Sequence, residues 1–219
     1  MRGAARLPPL SGAVSAPAGL AIIVAYLCLH IAWAQLLRGP YIFVQERAGF
    51  MAVILPCIVL ARRATVLRFL GYFRLPARSD RRFFLAWLAL AVLLRLVLKA
   101  LAEWVSPHSD TAALSWGRLI DECVTAPVNE ELVFRGLLLL SLVALLPRRR
   151  WPVVILSTVI FLACHNLRYW ETVVAVPILG VLLALAFLRT RSLSGCMLVH
   201  AAWNAMIFVP LPAWPQNSA

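Results

Sequence analysis

The chain has 219 residues, 63% of them hydrophobic and 14% charged, with a mean hydropathy of +0.86 and a formal net charge of +12. Soluble domains carry about 25% charged residues, so this composition excludes an ordinary soluble domain and indicates a membrane protein, a single domain by length. The basic residues are nearly all Arg in short loops between apolar runs, which is the positive-inside pattern and argues against nucleic acid as a partner.

In chain order, residues 1–17 form a flexible lead with Arg2 and Arg6 followed by Pro, Gly, Ser and Ala. Ala18 to Leu37 is the first apolar run; it is too long for a signal-peptide core of about 7–15 residues and reads as an uncleaved span carrying the lone His30. A second span is expected between Tyr41 and Ala61, interrupted by Glu46, Arg47 and Pro56. The stretch from Arg62 to Arg82 is a basic linker, and Phe83 to Val105 is the third span, with Arg95 and Lys99 four apart on one face. Residues 106–117 are polar and contain no Arg or Lys before Arg118.

The fourth segment, Arg118 to Leu146, contains Pro127, which should disturb the helix just before Glu130 and leave carbonyls without partners. Trp151 to Tyr169, Thr172 to Leu188 and Leu193 to Val209 follow as three more spans, and a Pro-rich tail occupies 210–219. The expected fold is therefore an all-α, polytopic transmembrane helix bundle of about seven spans. Its N-terminal helices occupy 18–105 and a helical core occupies 118–209, with the N-terminus cytoplasmic. The five cysteines stand singly, with no C-x-x-C, so neither a disulfide framework nor a thiolate zinc site is indicated.

Three polar groups interrupt these apolar helices: Glu130-Glu131-x-x-x-Arg135, Phe161-x-x-x-His165 and His200-x-x-x-Asn204. A charge near a bilayer centre costs about 2.5–3.5 kcal/mol on insertion scales, so three in succession point to a function. Glu131 and Arg135 are four apart and can pair, whereas Glu130 lies about 100° round the helix from Glu131 and is left for chemistry. A carboxylate beside an imidazole can take a proton from water, and His and Asn side chains can donate to a developing oxyanion. Such a set fits hydrolysis of an acyl or peptide bond inside the membrane.

These motifs, in this order, resemble the three signature motifs of the CAAX-protease and bacteriocin-processing family, which includes the Ras-converting prenyl-protein endopeptidases. Phe134-Arg135-Gly136 after the Glu pair is also similar to the family, and the likeness covers Arg118 to Val209. The resemblance implies an intramembrane endopeptidase in which Glu130, with His165, activates water. It further implies that His200 and Asn204 form the oxyanion hole, while Glu131 and Arg135 hold the first motif and Phe161 belongs to the second. The family has been described both as metalloproteases and as glutamate-type proteases. The chain has no H-E-x-x-H, and the metal-free mechanism is preferred because Asn204 is a better oxyanion donor than zinc ligand. If zinc were bound, Glu130, His165 and His200 would be the two-His, one-carboxylate set.

The expected partners are the lipid bilayer and a membrane-anchored protein or peptide substrate, and the expected location is a bacterial inner membrane. The alternative from another class is a non-enzymatic immunity or scaffold protein that uses the same polar cluster as a packing lock. A proton relay or transporter fits less well, since no inverted repeat is visible.

Overall fold

The computed structural model describes residues 71–105, 115–165 and 170–210, with a few positions between 15 and 24. Every regular element among them is helical. The expected first two spans, residues 62–70 of the basic linker, residues 106–114 of the polar loop, residues 166–169 of the fifth span and the tail beyond 210 lie outside the described residues, apart from those few positions.

Helix α1 is Arg81–Val105, entered through a 3-10 turn at Arg78–Asp80. Helix α2 covers 116–145 without a break in its right-handed backbone, but it changes register four times. It starts as α-helix at Trp116–Ile120, where Ser115 caps the first turn by accepting from the Arg118 amide. It widens to π-helix at Asp121–Thr125, returns to α at Ala126–Glu131, widens again at Leu132–Leu139 and ends as α at Leu140–Leu145. Helix α3 is Arg150–Ala163, α4 is Trp170–Thr190, and α5 is Leu193–Ala205 followed by a 3-10 turn at Met206–Phe208.

Helix α5 packs against α1, α2 and α4, while α3 lies against α4 and the second half of α2. This arrangement follows from which faces are apolar on all sides. Helix α4 buries Leu179, Leu182, Leu183, Ala186 and Phe187, whereas α1 buries only Ala91 and leaves Leu93, Val97, Leu101 and Trp104 exposed. Two helical stretches, Arg78–Val105 and Trp170–Thr190, are long and apolar enough to cross a membrane. Helix α3 is shorter than the span expected over 151–169: its 14 residues rise about 21 Å against a hydrocarbon core of about 30 Å. It stops at Ala163 because Cys164 leaves the helical region and the His165 amide closes a tight turn on the Leu162 carbonyl at 3.0 Å.

Polar groups tie α1 to the core. Trp87 Nε1 donates to the Leu182 carbonyl at 2.8 Å. Lys99 Nζ donates to the carbonyls of Ile207, at 2.8 Å, and Val209, and sits 3.7 Å from Glu103. A lysine side chain thereby closes orphan carbonyls where α5 ends.

The basic segments gather at one end of the bundle. Ser192 caps α5 by accepting from the Gly195 amide at 2.9 Å and donates to the Arg74 carbonyl, while the Leu193 amide donates to the Tyr72 carbonyl at 2.9 Å. Arg189 Nε lies 3.4 Å from Asp80. The same end carries the α2–α3 turn, because α2 and α4 both terminate there. Arg148 and Arg191 occupy the left-handed region, at φ 65° and 52°, where a residue with a Cβ costs roughly 1–2 kcal/mol. Arg side chains at these C-termini offset part of that cost through the helix dipole.

Candidate active site

The site lies far along the helices from the basic end, and its placement begins with Pro127. In the π-helical turn before it, the Ala126 amide donates to the Asp121 carbonyl, five residues back. The next carbonyl in that register, that of Glu122, faces the nitrogen of Pro127, which has no hydrogen. Asn204 Nδ2 on α5 donates to this Glu122 carbonyl at 2.8 Å. The proline thus opens a backbone acceptor in α2, and a side chain from α5 closes it. Widened turns of this kind are frequent at functional sites, and here two of them bracket the Glu pair.

Glu131 and Glu130 point to different surroundings, as a 100° step requires. Glu131 is fully buried, and its Oε1 accepts from Arg135 Nη1 at 2.9 Å. The same oxygen lies 2.8 Å from Nδ1 of the buried His200. Arg135 Nη2 also donates to the Gly180 carbonyl of α4 at 3.3 Å, and its guanidinium lies over the Phe161 ring at 4.6 Å. A charge this deep is tolerated because each partner is itself paired.

Glu130 is the accessible carboxylate. Its side chain is 25% exposed, as is that of His165, against 3% for His200. Its Oε2 lies 3.8 Å from His165 Nε2 and 3.7 Å from His200 Nε2, and it is buried with no hydrogen-bond partner. The three motifs therefore converge on one oxygen. His165 stands just past the end of α3, not within a helix as its spacing implied, yet its Nδ1 still meets the Phe161 carbonyl four residues back, at 2.7 Å.

The Phe161 ring fills the space between these groups. It contacts Phe134 edge-on at 4.8 Å, His165 at 4.5 Å and His200 at 6.3 Å, between ring centroids. Gly180 lets α4 come close: a Cβ there would stand 3.1 Å from Thr158 Cγ2 and 3.3 Å from Phe161 Cδ1.

The tautomers follow from the acceptors. In both imidazoles Nδ1 faces an oxygen that can only accept, the Phe161 carbonyl for His165 and the Glu131 carboxylate for His200. Nδ1 therefore carries hydrogen in both rings, and Nε2 of the neutral ring presents a lone pair toward Glu130. Asn204 is placed differently from the other motif residues, with one N–H spent on the Glu122 carbonyl and a second amide hydrogen remaining.

Among the described residues no group of three or more His, Cys, Asp and Glu side chains is arranged to hold a metal ion. Three partnerships were not named by the sequence: those of the Glu122 and Gly180 carbonyls, which are backbone atoms, and the Glu131–His200 bond, which joins positions 69 apart. Only Pro127 hinted at the first.

A helical, membrane-type protein with a carboxylate facing two imidazoles at the meeting of α2, α3 and α5 is the class that the fold and site define. Residues 111–206 match the family model described as Type II CAAX prenyl endopeptidase Rce1-like, and the matched stretch takes in all three motifs. Comparison with curated proteins and with solved structures returned no match.

Proposed function

We propose that the protein is an intramembrane endopeptidase that cleaves a membrane-anchored protein or peptide by Glu130-activated water, without a metal. The observation that carries this reading is the Glu130 Oε2 atom, buried, without a hydrogen-bond partner and near two imidazole nitrogens at 3.7 and 3.8 Å. A carboxylate so placed has an acceptor free for a water proton.

In the first step Glu130 takes a proton from water while His165 Nε2 orients that water, and the hydroxide oxygen bonds to the peptide carbon. The carbonyl oxygen becomes an oxyanion. Asn204 offers its second amide hydrogen, and His200 completes the oxyanion hole by donating from Nε2 in the form of the ring that carries both hydrogens. The C–N bond then breaks as Glu130 passes the proton to the departing amine. Each proton taken is returned, and no other reactant is consumed.

The same reading places the site in a bundle of about seven spans, with helices over 18–105 beside a catalytic core over 118–209. The N-terminus and the basic end would face the cytoplasm of a bacterial inner membrane. Supporting this are the exposed apolar face of α1 and the gathering of the Arg-rich segments at one end. Substrate would enter as an extended segment, since a site buried among spans cannot admit a folded soluble protein. A prenylated or otherwise lipid-anchored C-terminal segment fits, in keeping with the family description.

The test is cleavage in lipid bilayers of one candidate segment fused either to a membrane anchor or to a soluble carrier, by wild type and by Glu130→Gln, with and without a chelator. The expected result is chelator-insensitive cleavage of the anchored substrate, absent in the variant. Equal rates on both carriers, or full activity in Glu130→Gln, would overturn the reading.

A further inference from the structure

At the basic end, away from the candidate active site, the turn between α2 and α3 borders an open cleft of about 240 Å³. Three consecutive arginines, Arg148, Arg149 and Arg150, form one side of it. Val143, Leu146, Val153 and Leu188, from the ends of α2, α3 and α4, form its hydrocarbon floor. No carboxylate lines it, so the cationic charge is not neutralised from within. Helix α3 begins at the same place with no side-chain cap on its first amides, so the positive end of the helix dipole adds to the three guanidinium charges. Trp151 is 61% exposed, and Arg150 lies 6.0 Å from its ring, an aromatic and a cation together as found at the headgroup level of a bilayer.

We propose that this cleft binds the phosphate of an anionic phospholipid, with the guanidinium groups on the phosphate and the glycerol and first methylenes of a chain on the apolar floor. Guanidinium forks match phosphate oxygens in pairs, which a diffuse attraction to a charged surface does not require. The apolar floor selects among phosphate sources. A free phosphate ion gains nothing from Val143, Leu146, Val153 and Leu188, whereas a lipid buries hydrocarbon there. The exposed arginines Arg78, Arg81 and Arg82 lie near the same end but do not line this cleft, so they supply the comparison that separates the site from the general basic surface.

The experiment uses the full chain in nanodiscs of phosphatidylcholine with a minor fraction of phosphatidylglycerol, and counts phosphatidylglycerol retained by native mass spectrometry. Replacing Arg148, Arg149 and Arg150 together with Gln should reduce retention at least about tenfold, because the paired guanidinium–phosphate hydrogen bonds are lost. The same change at Arg78, Arg81 and Arg82, which do not line the cleft and so make no paired contact with the phosphate, should reduce it less than about twofold. Leu146→Trp, which fills the cleft and leaves the charge unchanged, should also lower retention. Inorganic phosphate at millimolar concentration should not displace the lipid. Equal losses from the two triple variants would reduce the effect to general surface charge and overturn the proposal. So would displacement by inorganic phosphate, which would mark a site for the free ion, or unchanged retention in Leu146→Trp.

Discussion

Oε1 of Glu131 lies 2.8 Å from Nδ1 of His200, across 69 residues of sequence, and the same oxygen accepts from Arg135 at 2.9 Å. The acidic residue of the first motif therefore orients the imidazole of the third. Nitrogen-15 NMR of histidine-labelled protein should find hydrogen on Nδ1 of His200. It should find Nε2 unprotonated in the neutral ring. Glu131→Leu removes the acceptor and should let both tautomers appear. A neutral wild-type ring protonated at Nε2 would contradict the geometry.

Removing one partner of a buried ion pair typically costs about 3–5 kcal/mol, because the other charge is left uncompensated. Glu131→Leu and Arg135→Leu should each lose about that much in a denaturant titration. The double variant should recover part of the loss but not all, since the His200 Nδ1 hydrogen and the Gly180 carbonyl lose their partners as well. Strict additivity of the two single effects would show that the pair is not coupled.

Glu130 has the opposite profile. Its Oε2 makes no hydrogen bond, so Glu130→Gln should leave thermal stability nearly unchanged. If Glu130 is the general base, cleavage should fall by about 10²–10⁴-fold. A variant that loses folding along with activity would point to a packing lock instead.

The Pro127–Glu122–Asn204 arrangement permits a rescue experiment. Asn204→Ala strands the part-buried Glu122 carbonyl, at a cost of up to about 1–3 kcal/mol. Pro127→Ala supplies an amide hydrogen in the register that this carbonyl faces. Adding it to Asn204→Ala should restore part of the lost stability, as read from the unfolding midpoint, without restoring cleavage. Stability that falls further in the double variant would refute the account of the π-helical turn.

At Gly180 a methyl group would press on Thr158 and Phe161 at 3.1–3.3 Å. Phe161 lies under Arg135 and against His165, so Gly180→Val should disturb the site and cost about 1–3 kcal/mol through overpacking. The turnover number in a cleavage assay should drop more than this stability loss explains. An active Gly180→Val would show that Phe161 can move freely.

Much of the helical layout was legible in the residues themselves. The third, fourth and sixth apolar runs coincide closely with α1, α2 and α4, because long apolar stretches admit few alternatives once their backbone groups must be satisfied internally. Periodicity also separated the roles of Glu130 and Glu131, since a 100° step cannot place neighbouring side chains in one environment. Pro127 announced the interruption before them, because a missing N–H is a local property of the chain. Tertiary structure decided the rest. It ended α3 early and set His165 on the turn beyond it, joined Glu131 to His200, sent Asn204 to the Glu122 carbonyl, and gave Arg135 its acceptor at Gly180. These depend on how α2, α3, α4 and α5 approach one another, and two of the acceptors are backbone carbonyls, which every residue type possesses and no side-chain pattern marks. Side-chain identity states which chemistry is possible, but only the packing of helices determines which donor meets which acceptor.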